Sequence, residues 1–332
     1  MSPRELRNLS RLLLAWYRTH GRSLPWREAP DPYRVVVAEA MLQQTRAEVA
    51  ARYFERFLAA FPSFQALAEA PPEEVLRLWE GLGYYRRARL LQELARIVVE
   101  RFGGELPADP EELRRLPGVG PYTAGAIRVF AFRQPAAPID ANVRRLFARF
   151  RPEEDINHLV PALLAEDPFE LGQALMDLGA LVCRPRRPLC PECPWREHCA
   201  TRGEGPPRPA PPSRRSEAVT VAVVTEGERV LAGPRTRGVL RHLWGLPMAP
   251  EDDISAFLAR GTALGRFRHV FSHVVWQVEV IAAPYAGEEV DPRFRFLDAA
   301  TLARLPFGRP FRRALILWSD ARRALARDGR RG

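Results

Sequence analysis

Four cysteines, Cys183, Cys190, Cys193 and Cys199, fall within one short stretch, CRPRRPLCPECPWREHC. Four thiolates at C-x6-C-x2-C-x5-C spacing can enclose a zinc ion or a [4Fe–4S] cluster. Zinc sites usually pair two short knuckles, a pattern that the x6 and x5 gaps fit poorly. The spacing therefore favours the cluster and leaves zinc as the alternative. Four protein ligands leave no open position for a substrate, which points to a structural role. Arg184, Arg186, Arg187 and Arg196 share the loop. Arginines on a stapled loop suit phosphate contacts, which position a protein without reading sequence; a merely solvated basic loop is the plainer reading.

A second group of residues suits acid–base chemistry beside a phosphate-binding turn. Glu39 stands inside the apolar run VVVAEAML. Burial there raises a carboxyl pKa and keeps the group protonated near neutral pH, although a helix carboxylate paired with an arginine is the ordinary alternative. LPGVGPYTAGAI (116–127) carries Gly118 and Gly120 ahead of a helix that opens on Pro121 and Tyr122. Glycines permit a tight turn, and the N–H groups at a helix start can bind a phosphate. Asp140 follows 18 residues beyond Tyr122, in APIDANVRRLFARF.

Helices must carry these groups. Residues 30–61 and 71–102 place apolar side chains at three- and four-residue spacing. The stretch TRGEGPPRPAPPSRRSE (201–217) holds five prolines and reads as a stiff linker. Beyond it, EAVTVAVVTEGERVLAGPR (217–235) reads as two strands about a TEGE turn and HVVWQVEVIAAPY (273–285) as another strand. LDAATLARL and RPFRRALILWSDARRALAR read as helices. A chain of 332 residues exceeds one ordinary core and implies two or three domains. No apolar run approaches the roughly 18 residues that span a bilayer, and the N-terminus lacks a signal-peptide layout. A cytoplasmic, nucleoid-associated protein without a membrane is expected. The net charge of +10 is carried by arginine alone, with no lysine anywhere. Codon bias accounts for the missing lysines, while the surplus charge favours nucleic acid as partner.

GRSLPWR (21–27), AEAMLQQT (38–45), GLGYYRRAR (81–89), LPGVGPYTAGAI and QALMDLGALVC (173–183) precede the cysteine loop in this order. Together they resemble the motifs of the MutY-type adenine DNA glycosylases, in the endonuclease III or helix-hairpin-helix superfamily, over roughly residues 1–200. The resemblance implies a multidomain chain. An all-α helix-hairpin-helix glycosylase domain (1–200) would hold the hairpin at about 113–128 and the iron–sulfur loop at 183–199. The linker 201–217 would lead to a C-terminal α+β Nudix-like domain (218–325) that recognises 8-oxoguanine. No Nudix box is present, so nucleotide pyrophosphatase activity is not expected. HLWGLP (242–247) is a shortened form of the usual family segment.

The same resemblance implies base excision repair: hydrolysis of the N-glycosidic bond of adenine mispaired with 8-oxoguanine or guanine in double-stranded DNA, by a monomer. Glu39 would protonate adenine N7, and Asp140 would remain ionised near the hairpin amides and stabilise the cationic sugar. Tyr122, close to Asp140, and Asn142 complete the catalytic set. Arg22, Trp26 and Gln173 would line the adenine pocket, Trp26 equally suiting a core position. Leu42, Gln44 and Tyr84 would wedge into the stack, while Gly118 and Gly120 grip DNA. Phe271, Ser272 and His273 would face 8-oxoguanine. Bifunctional relatives place a Schiff-base lysine where Tyr122 stands, so a monofunctional enzyme that leaves an abasic site is expected. The family's Asp-Gly-Asn-Val becomes Asp140-Ala141-Asn142-Val143 here, which strains the turn if that glycine needs positive φ. A thymine mismatch glycosylase of the same superfamily and a non-catalytic iron–sulfur DNA-binding or redox-sensing protein are the competing readings.

Overall fold

A computed structural model describes residues 1–202, 214–271 and 273–328, with side chains as far as 324. Most of the expected linker, residues 203–213, lies outside the described residues, as does Ser272. The chain divides into two compact units. One comprises Met1–Ala70 and Tyr84–Ala210, the other Pro71–Gly83 and Pro211–Gly332.

The first unit is helical, with no strand among its described residues. Local chemistry sets the helix starts. Ser2 and Glu5 form a reciprocal capping box ahead of Pro3–His20, and Asp31 accepts from Arg34 N at 3.0 Å at the head of Pro32–Leu42. That second helix is apolar nearly all round. Tyr33, Val35, Val36, Val37, Ala38 and Met41 are all buried, so it runs through the interior and takes Glu39 with it. The hairpin follows as Pro110–Arg115, a turn at 116–120, and Pro121–Phe130. Gly118 has φ 77°, a left-handed conformation that glycine alone adopts without strain. A Cβ there would meet Leu90 Cβ at 3.3 Å. Gly120, by contrast, is extended (φ −86°, ψ 180°) and caps the second hairpin helix. The tight turn read for both glycines therefore belongs to Gly118 alone. Helix Ala141–Phe150 is capped by Asp140, and Pro168–Asp177 runs on into a π-turn at Leu178–Val182.

The second unit is built on a mixed sheet. Its strands are β1 (Arg215–Glu226), β2 (Arg229–Pro234), β3 (Trp244–Gly245), β4 (Met248–Ala249), β5 (Thr262–Val270), β6 (Val274–Pro284) and β7 (Arg295–Leu297). The order is β3-β2-β1-β6-β5, with β4 beside β1 and β7 beside β2. β1 and β2 form the expected hairpin about Gly227, with Glu226 opposite Arg229. β1 and β6 run parallel from Arg215↔Val274 to Thr225↔Pro284. Ala222, Val224, Leu231, Ile254, Phe257 and Ile281 fill the core on one face. Helix Pro72–Leu78, read from sequence as part of the helical domain, groups with this second unit. Arg312 of the long helix Arg309–Asp328 pairs with Glu80 at 3.0 Å. Among the described residues no helix is long and apolar enough to cross a membrane.

Candidate active site

One cavity of about 660 Å³ in the first unit gathers all the residues read as catalytic or adenine-binding and two of those read as contacting DNA. Arg22, Trp26, Glu39, Leu42, Gln44, Tyr122, Asp140, Asn142 and Gln173 all line it. Tyr84, Gly118 and Gly120 do not. Trp26 is buried edge-on against Phe54 (centroids 5.5 Å, planes at 79°) and also lines the cavity.

Glu39 is the chemically unusual group. Its residue is 5 % exposed, and Oε2 is buried without a hydrogen-bond partner. Burial pushes its carboxyl up to about 7; the Tyr122 hydroxyl, hydrogen-bonded to it, pulls down, and the charge of Asp140 pushes up. The Tyr122 hydroxyl is itself driven well above its usual pKa, first by burial and then by Glu39 and Asp140, so it stays a donor. Tyr122 thus contacts Glu39 directly and senses Asp140 through its charge, a pairing the sequence did not suggest.

Asp140 is fixed by its own helix. Oδ1 accepts from Asn142 N at 2.8 Å and Val143 N at 2.7 Å, and Oδ2 accepts from Asn142 Nδ2 at 2.8 Å. The amides that hold it are therefore those of Ala141–Phe150, not those of the hairpin, which corrects the expectation. Partial positive charge at a helix start favours the anion. Ala141 opens this helix and is absent from the left-handed residues, so the strain considered for it does not arise. Asn142 is held in turn: Arg145 Nη2 donates to its Oδ1 at 3.0 Å and to Gly179 O at 2.7 Å, while Arg145 Nε donates to Cys183 O at 2.9 Å.

Asp177 does not line the cavity itself but ties together Arg22 and Arg27, which do. It is fully buried and accepts five hydrogen bonds: from Arg22 N, Nε and Nη2 at 2.8, 2.9 and 2.7 Å, and from Arg27 Nη1 and Nη2 at 2.9 and 2.9 Å. Burial alone would raise its carboxyl, but the Arg27 guanidinium and the Arg22 donors outweigh it and hold the group below its usual range. Neither Asp177 nor Arg27 was assigned a role from sequence, although both stand inside quoted motifs. Their signal was a carboxylate and two arginines on distant segments, which only the fold brings together.

Gln44 and Tyr84 share a backbone peculiarity. Both are exposed, and both have positive φ, 60° and 50°, unusual for residues that carry a side chain. Helix Pro121–Phe130 has no side-chain cap, so its first N–H groups are not met by a capping side chain.

The four cysteines line one small cavity, of about 30 Å³, with Leu146, Phe150, Val182 and Trp195. Trp195 is fully buried, stacks on Phe150 with ring centroids 4.6 Å apart, and donates to Leu9 O at 3.0 Å. Arg149 Nη1 reaches Cys183 Sγ at 3.5 Å and Arg184 O at 2.8 Å. Burial, followed by the neighbouring thiols, pushes Cys193 up to about 11 despite a backbone hydrogen bond at Trp195 that pulls down. Among the described residues, no group of His, Cys, Asp and Glu is spaced for a single metal ion.

In the second unit, Phe271 packs between His269 and Trp276, with centroids at 4.6 and 4.9 Å. Phe271 N donates to Val274 O at 2.8 Å, and His273 is exposed.

Comparison with known proteins agrees with this geometry. Residues 37–164 match the HhH-GPD superfamily base excision DNA repair proteins. The adenine DNA glycosylase of Mycobacterium tuberculosis is 40% identical over 222 residues, covering 63% of this chain and 72% of that protein. The chain thus belongs to the adenine DNA glycosylase family of that superfamily. Human adenine DNA glycosylase is 43% identical over 210 residues, covering 57% of this chain and 38% of the human protein, so the match spans about two fifths of that relative. Among solved structures, a thermostable thymine-DNA glycosylase has TM-score 0.57 at 28% identity, covering 61% of this chain and 98% of that one.

Proposed function

We propose that the protein is an adenine DNA glycosylase of base excision repair, hydrolysing the N-glycosidic bond of adenine opposite 8-oxoguanine or guanine and leaving an abasic site. The observation that carries this reading is Glu39: a buried carboxyl with a free oxygen and a pKa near 7, set in the same cavity as Asp140. Adenine leaves poorly as an anion, so an acid must protonate it. Glu39 supplies that proton to N7 and, once ionised, takes a proton from the attacking water. As the C1′–N9 bond breaks, the sugar becomes cationic, and the Asp140 carboxylate, held by Asn142 and Val143, stabilises it. Arg22, Trp26 and Gln173 enclose the flipped base. Leu42, Gln44 and Tyr84 fill the space it leaves, which offsets a cost of a few kcal/mol.

Strand cleavage by the Schiff-base route needs an amine at the sugar. The chain has no lysine, Tyr122 stands at the family's lysine position, and arginine stays protonated. Cys183, Cys190, Cys193 and Cys199 would hold a [4Fe–4S] cluster, whose positive iron core suits the crowded thiols. The cluster would brace the loop that presents Arg184, Arg186, Arg187 and Arg196 to phosphate. Phe271, Ser272 and His273 in the second, Nudix-like unit would read the 8-oxoguanine strand. The likeness to a thymine-DNA glycosylase favours a second reading, release of thymine from T:G pairs.

Parallel assays on A:8-oxoguanine, A:G and T:G duplexes separate the two readings. Adenine release without strand nicking, and without a borohydride-trapped adduct, is expected. Thymine release alone would replace the first reading with the second.

A further inference from the structure

Arg87, in the motif GLGYYRRAR, has no role in the chemistry above, yet its surroundings are specific. It is 7 % exposed, at the second position of helix Arg86–Phe102. Burial pushes its guanidinium down to about 10, still protonated at neutral pH. Nη1 donates to Ala40 O at 2.9 Å, to Met41 O at 2.7 Å and to Gln43 O, and Nη2 donates to Thr45 Oγ1 at 3.1 Å. These are carbonyls at the end of the Glu39 helix and in the turn behind it, where helical partners run out and a cation is favoured. Arg87 N also donates to Tyr84 O at 2.8 Å, and the guanidinium carbon sits 5.4 Å from the Tyr84 ring centroid.

One side chain therefore clasps both left-handed residues, Gln44 within its turn and Tyr84 under its ring. The same helix also backs the hairpin. Gln43, Arg87, Leu90 and Gly118 border one cavity of only about 20 Å³, and Leu90 packs on Gly118. We infer that Arg87 is the positioning residue that holds the Leu42–Thr45 turn and Tyr84 as one preformed wedge, tied to the end of the helix that carries Glu39. The inference rests on the proposed base-flipping reading. A wedge ordered before it meets DNA spends no binding energy on its own ordering. Lysine cannot replace Arg87 here, because it lacks the planar fork that reaches the carbonyls, Thr45 and the ring together.

The test is a coupling experiment on the full chain under single-turnover conditions, with A:8-oxoguanine duplex. Arg87→Lys is expected to slow adenine release about tenfold and to weaken, in parallel, the fluorescence rise of 2-aminopurine placed as the target base. The alkaline midpoint set by Glu39 stays where it is, because the side chain acts on geometry and not on the proton. In a Gln44→Ala/Tyr84→Ala background the same change should cost less than about twofold, since residues that act through one another are non-additive. A full tenfold cost in that background, or a shifted midpoint with flipping intact, overturns the inference. Should Arg87→Lys melt early, Thr45→Val removes the Nη2 acceptor and leaves the arginine in place. Slower release with the same coupling is then expected, and a wild-type rate overturns the inference. A wild-type chain that releases no adenine removes the functional reading and this inference with it. An active wild type with additive variants removes the inference alone.

Discussion

Two buried carboxylates, one lining the cavity and one holding the two arginines that line it, are treated in opposite ways. Asp177 accepts five hydrogen bonds from two arginines and is held below its usual range. Glu39 receives one phenol, keeps Oε2 unpartnered, and is pushed up to about 7. Burial penalises both anions equally in kind; what differs is compensation. The satisfied carboxylate organises the wall, and the unsatisfied one is left with a proton to give. A chain that folds around an uncompensated acid accepts a stability cost there, as the acid proposed for this site would require.

The contrast can be broken at either carboxylate. The largest effect is expected from Glu39→Gln, which keeps the shape but has no titratable proton. Adenine release should fall by about 10³-fold or more while duplex affinity persists; release within tenfold of wild type would mean that the acid lies elsewhere. Asp177→Asn removes the buried carboxylate shared by Arg22 and Arg27 and should cost about 3–5 kcal/mol in urea unfolding. A loss under about 1 kcal/mol would mean that the arginines re-pair.

The pH dependence of stability should separate the two carboxylates by sign. Glu39 has a raised folded pKa, so its contribution is full below its unfolded value of 4.5 and is lost as pH rises through about 7. Glu39→Gln should therefore gain on wild type across that window, by roughly 3 kcal/mol at its upper end. Asp177 has a lowered folded pKa, so its contribution is present above the unfolded value of 3.8 and is lost in acid below it. Unfolding curves for Glu39→Gln at pH 5 and pH 8, and for Asp177→Asn at pH 5 and pH 3, check this, and parallel pH profiles would contradict it. The smallest effect belongs to Tyr122→Phe. Removing the hydroxyl removes a downward pull on Glu39, so the alkaline fall in the rate of base release, expected near pH 7, should move to higher pH by a fraction of a unit. A midpoint moving downward would refute the Tyr122–Glu39 pairing.

Much of the cavity was legible in the sequence because its parts are local. Glu39 sits in an apolar run, which announces a buried helix; Asp140 was picked out by the family motif, and its capping of its own helix was not read from the sequence. What was not legible is pairing across distance. Nothing near Arg22 or Arg27 points to Asp177, about 150 residues away, and Tyr122 gives no local sign that it meets Glu39. Backbone conformation was hidden too, since positive φ at Gln44 and Tyr84 contradicts what their side chains prefer. In the second unit the β1–β2 hairpin was visible from alternation and a Gly turn. Strand β5 was not, because TALGRFRHV mixes arginines with a bulge at Gly265 and never presents a clean apolar face. The grouping of Pro71–Gly83 with the distant C-terminal segments likewise left no mark on its helical pattern.

The parallel pairing of β1 with β6 bears on how the molecule is made. Arg215 and Val274 are neighbours in the sheet but 59 residues apart in the chain (274 − 215). Long loop closures of this kind delay folding, whereas contacts within helical hairpins form early. The sheet can be completed only after residue 297, the end of β7, has left the ribosome, by which time residues 84–202 of the helical unit are already synthesised. In refolding, the second unit should set the slow phase, reported by Trp244 and Trp276.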